Sequence, residues 1–204
     1  MRESESVARL LRIALLSFTL ALVFSAPALA GGGNYVFAGG TAPQQAQVRD
    51  ALNASSFNWS LIPQQVTIHI APGSGSMAIP GCIWIDADLL NSGKFAWGVI
   101  QHEYAHQLDF LVLDDTKRAA LALGLGGSAW WETGIVPAAH GQLTSERFAS
   151  MLSWAFWQSS DNIMRPSSND ESASMAPAAF RTLLAQVLGT RTLTSVKRVA
   201  ASHP

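Results

Sequence analysis

Val99-Ile100-Gln101-His102-Glu103-Tyr104-Ala105-His106-Gln107-Leu108 is the stretch around which this chain is organised. On a helix, residues four apart share a face, with Cβ atoms about 5–6 Å apart. His102 and His106 can therefore aim two imidazoles at one ion. Glu103 lies about 100° further round the axis. It flanks such an ion without needing to bind it, which suits a carboxylate that takes a proton from metal-bound water. The helix is expected to run over 94–112, with Asn91-Ser92-Gly93 as its cap. Trp97, Ile100, Tyr104, Leu108 and Leu111 lie opposite the histidines, and Phe95 and Val99 lie on their side. A helix apolar all round is a buried helix. Two imidazoles and a carboxylate buried there need partners, and a metal with its water supplies them.

Outward from this helix the chain reads as follows. Residues 1–30 have the form of a secretory signal peptide. Arg2, Arg9 and Arg12 form a basic start, Ile13 to Phe24 is an apolar run too short to span a bilayer comfortably, and Ala28-Leu29-Ala30 is a small-x-small cleavage site. Cleavage after Ala30 leaves a single secreted domain, 31–204, with ten basic against twelve acidic residues. That balance points to no nucleic-acid partner, and no other stretch implies a membrane. Cys82 is the only cysteine, so no internal disulfide can form and the core must hold the fold; a buried, inert thiol is expected.

Gly31 to Gly40 reads as a loose, glycine-rich lead-in, and Pro43 to Asn53 as a short helix capped by Thr41. Val66 to Ile70 alternates as a strand, with His69 a sheet or surface histidine. Ala71 to Gly81 is expected to be a loop and Cys82 to Asp86 a second strand. Beyond residue 90 only helical periodicity appears. One helix starts at Asp114-Asp115-Thr116, one runs from Thr144 to Trp157, and an amphipathic one from Pro177 to Leu188 is ended by Gly189. Ser159 to Met175 reads as a polar surface loop, and no role is assigned to 190–204. The fold class expected is α+β, mostly helical, with a small sheet preceding the motif helix.

A catalytic zinc site needs three protein ligands and an open position for water. Here His102-Glu103-Tyr104-Ala105-His106-Gln107-Leu108-Asp109 resembles the zincin zinc metallopeptidases, and locally the MtfA-like peptidases among them. The likeness covers about ten residues closely and 94–157 loosely. The metzincin branch needs Gly and His three and six residues after the second histidine. Asp109 and Val112 stand there instead. Glu146, forty residues after His106 and followed by the small Ala149, resembles the third ligand of the glutamate branch, the gluzincins. Glu132, in Trp130-Trp131-Glu132-Thr133-Gly134, is the rival. Many gluzincins carry aspartate four residues after the ligand glutamate. Ser150 stands there, so carboxylate support for a ligand histidine is missing unless Asp109, otherwise a helix-end polar group, supplies it.

The resemblance implies a secreted zinc metalloendopeptidase acting on peptide or protein substrates. Zinc would be held by His102, His106 and Glu146. Glu103 would be the general base, and His140 would stabilise the oxyanion. Tyr104 falls on the wrong face for that last role, and Tyr35 is near the start of the expected mature chain. In zincins the strand before the helix lines the cleft, so 82–86 is either the edge that pairs with extended substrate or an ordinary sheet strand. The competing reading is a secreted zinc-binding or interaction protein without turnover. The intact Glu103 argues against it, since a mere metal site needs no glutamate there.

Overall fold

The computed structural model describes residues 33–127, 129–131, 139–168, 170–189 and 193–194. Residues 1–30, where a signal peptide is expected, Glu132 and most of the tail lie outside these residues. The fold is α+β and mostly helical, with one small sheet ahead of the motif helix.

Four strands build the sheet: β1 (Tyr35–Gly39), β2 (Val66–Ala71), β3 (Met77–Ile79) and β4 (Cys82–Asp86). Their spatial order is β1-β2-β4-β3, with β1, β2 and β4 parallel and β3 antiparallel to β4. The chain leaves β2, forms the far edge as β3, and turns back through Pro80-Gly81 to place β4 between them. Gly81 takes φ 80°, which a proline-led two-residue turn requires of its second residue. Alternation along β2 and β4 turns Val66, Ile68, Ile70, Ile83 and Ile85 into the core. His69 and Trp84 lie on the opposite face, stacked with ring centroids 4.8 Å apart.

Helix α1 (Ala42–Ala54) joins β1 to β2, as a parallel pair demands. Thr41 caps it in a capping box with Gln44, as its sequence implies. A single turn, α2 (Ala87–Leu90), leads into α3 (Phe95–Val112), the motif helix. Helix α3 has no side-chain cap. The Asn91-Ser92-Gly93 turn instead contributes the Gly93 carbonyl, which accepts from the Ala96 N–H. Then follow α4 (Asp115–Leu125), α5 (Thr144–Phe156) and α6 (Pro177–Leu188), the last closed by Gly189 in the left-handed conformation. Among the described residues no helix is long and apolar enough to cross a membrane.

Helix α3 lies at the centre, packed against α1, α5 and the β3–β4 hairpin. From Ile100 to Asp109 every α3 residue is buried, as expected for a helix apolar on every side. Gly98 allows a close approach: a Cβ there would collide with Asn162 Oδ1. Tyr104 packs edge-on against Trp59 and Tyr35, on the face away from the histidines.

Five expectations are corrected. The glycine-rich lead-in contains a strand, β1. The loop 71–81 contains another, β3. Strand 82–86 is interior, so it cannot be a free edge for substrate; β3 is the edge beside the cleft. The segment 159–175 is not a simple surface loop. It buries Asn162, Met164, Glu171 and Ser172 and forms a helical turn at Asp170–Ala173. Cys82, expected to be buried, is half-buried.

Candidate metal centre

Helix α3 delivers His102 and His106, and the first turn of α5 delivers Glu146. That turn needs no side-chain cap. The carbonyls of Ala129 and Trp130 accept from the N–H groups of Thr144 and Ser145 at 2.8 and 3.2 Å. His102 and His106 are 4 and 5 % exposed, on the floor of a cleft of about 210 Å³. Their Nε2 atoms stand 3.2 Å apart. Glu146 Oε2 lies 3.1 Å from the first and 3.3 Å from the second. Ligands held about 2.0–2.1 Å from a tetrahedral zinc are separated by about 3.3–3.4 Å. The three atoms therefore already form nearly one face of such a tetrahedron. Two facing imidazole nitrogens repel unless a proton or cation lies between them, so the donor set fits a metal ion.

Glu103 is also buried and lines the cleft beside the two histidines. No hydrogen bond holds its carboxylate among the described residues. Burial raises its pKa, and the neighbouring imidazoles only partly oppose that. For Glu146, burial opposes ionisation, but hydrogen bonds from His102, His106 and His140 outweigh it and hold the carboxyl far below its ordinary range.

His140 sits at the mouth of the cleft on a short helical turn, His140–Gln142. Its Nε2 is 3.1 Å from Glu146 Oε2 and its Nδ1 is 2.8 Å from Glu171 Oε1. These two carboxylates raise its pKa to about 10. It stands near the other two imidazoles but outside the group of mutually close ligand atoms.

Asp109 does not support a histidine. It accepts from Arg118 Nε at 2.8 Å and from Trp130 Nε1 at 2.9 Å, which ties α4 and residue 130 to α3. His106 Nδ1 is buried and has no hydrogen-bond partner among the described residues. The support for His102 comes from Ser150, whose Oγ is 3.0 Å from His102 Nδ1 and 2.6 Å from Glu171 Oε2. Glu171 is thus a residue the sequence reading missed. Gln107 is another: its side chain bonds the Gly81 N–H and the Ile79 and Cys82 carbonyls, clamping the β3–β4 hairpin to α3 beside the site. On the opposite wall, Phe110 stacks on Trp131 with centroids 5.4 Å apart and on His106 at 6.0 Å. A larger groove of about 830 Å³ beside α6 holds no such cluster of ligating side chains among the described residues.

No family model matches the chain, and no curated protein and no solved structure matches it significantly.

Proposed function

We propose that this protein belongs to the metal-dependent hydrolases with a two-histidine, one-glutamate centre. Within that class we propose a secreted zinc metalloendopeptidase of the gluzincin type. The observation that carries the reading is the convergence of His102, His106 and Glu146 within 3.1–3.3 Å, with Glu103 in the same cleft.

His102, His106 and Glu146 would hold the zinc, which would supply Lewis-acid activation of water and of the scissile carbonyl. The chain's own groups do the rest. Glu103 accepts the proton of the attacking water and returns it to the leaving amine. Its raised pKa suits both halves of that task. His140, at the mouth of the cleft, has its Nε2 placed to donate to the developing oxyanion, with Nδ1 held by Glu171. Strand β3 is an antiparallel edge one side of which faces the cleft through Met77 and Ala78. An extended peptide can pair with it, and Phe110 and Trp131 then meet one substrate side chain.

The test is Glu103→Gln, which keeps size but removes the base. Zinc content should stay as in wild type, while peptide hydrolysis falls by a factor on the order of 10²–10⁴. Equal hydrolysis by the two proteins would refute the catalytic role. Zinc uptake with no hydrolysis of any peptide by wild type would favour the binding-protein reading.

A further inference from the structure

We infer that Glu171 is a positioning residue for both sides of the cleft. One carboxylate fixes the ring of His102 through Ser150 and the ring of His140 directly. This rests on the metal-centre reading above and goes beyond it, because Glu171 belongs to neither motif.

The directions of the hydrogen bonds follow from what each group can do. An ionised carboxylate only accepts. Glu171 Oε2 therefore takes the Ser150 hydroxyl proton across 2.6 Å, in preference to the 3.5 Å contact of that hydroxyl with Met164 Sδ. Ser150 Oγ is then left to accept from His102 at 3.0 Å, so His102 keeps a proton on Nδ1. Nε2, which hydrogen-bonds Glu146 here, is thereby the nitrogen that gives up its proton to become the ligand when a metal binds. The other oxygen, Oε1, accepts from His140 Nδ1 at 2.8 Å and fixes that ring in the same way. The surroundings are built for this: Ser150 is fully buried and Glu171 is 8 % exposed. The turn carrying His140 also packs closely on Glu171, since a Cβ at Gly141 would lie 3.2 Å from its Cγ. The serine four residues after Glu146 is thus one link in a longer path to a carboxylate on another element.

The experiment compares zinc affinity, by chelator competition, in wild type, Ser150→Ala, Ser150→Thr, Glu171→Gln and the Ser150→Ala/Glu171→Gln double variant. Ser150→Ala and Glu171→Gln should each weaken zinc binding roughly 10–100-fold. The double variant should be no weaker than the worse single, because both break one chain of bonds. Ser150→Thr keeps the hydroxyl and should stay near wild type. In zinc-saturated protein, Glu171→Gln should lower kcat more than Ser150→Ala, since it also releases His140. Additive losses, or wild-type affinity in Ser150→Ala and Glu171→Gln, would overturn the inference. If Glu171→Gln does not fold, the Ala–Thr contrast at Ser150 still decides it. If wild type itself takes up no zinc, the centre is refuted and the role of Glu171 with it.

Discussion

Helix α3 and the segment 159–175 meet at the same cleft, but only α3 is readable as part of it from sequence. In α3 the spacing of apolar residues and the four-residue interval between His102 and His106 state the burial, the face and the ligands together. The segment 159–175 has no period. Its side chains Asn162, Met164 and Glu171 are buried one at a time, by contacts with α3 and α5 that are distant in sequence. Periodic structure repeats its message every turn, whereas an irregular segment carries each contact in a single residue.

Three substitutions would break or sharpen that contrast, measured as stability by chemical denaturation. Leu108→Ala removes a fully buried α3 side chain and should cost about 2–5 kcal/mol. A loss below about 1 kcal/mol would mean that α3 is not the central core helix. Asn162→Ala should cost about 1–3 kcal/mol, because its amide donates to the Trp157 and Ser153 carbonyls and its Oδ1 accepts from the Met164 N–H. A neutral result would return 159–175 to the status of a surface loop. Ser168→Ala, exposed in the same segment, should change stability by no more than about 0.5 kcal/mol. A large loss there would show that the whole segment is packed, not only its buried residues.

Much of the fold was legible for the same physical reason as α3. The cap at Thr41, the strand at Cys82 to Asp86, the helix from Thr144 and the Gly189 stop all follow local rules, and the structure places each within a residue or two. Strands β1 and β3 escaped notice because they are short and set among glycines and prolines, whose turn signals dominate the text. Pairing with β2 and β4, not intrinsic preference, makes them strands. That is also why the sequence leaves 82–86 open between a substrate edge and an ordinary sheet strand, and why the edge proves to be β3: a strand's neighbours are a property of the sheet.

The candidate site divides along the same line. His102, Glu103 and His106 come from one helix and could be read from spacing. Glu146 needed the likeness to gluzincins, and the structure brings it to both histidines. Asp109 seemed a candidate support for a histidine because it lies three residues past His106. Tertiary structure gives it to Arg118 and Trp130. Ser150 looked like a deficit while only its own position was considered. Its meaning depends on Glu171, twenty-one residues later in the chain.

The central claim is that His102, His106 and Glu146 together hold one metal ion, and metal analysis of the purified mature protein tests it most directly. Wild type should carry one zinc per chain. His106→Ala should carry almost none, and Glu146→Ala should lose zinc to a chelator at far lower concentration than wild type. A wild-type protein that takes up no zinc would contradict the account. So would a Glu146→Ala protein that holds zinc as tightly as wild type, a result that would pass the third ligand position to Glu132.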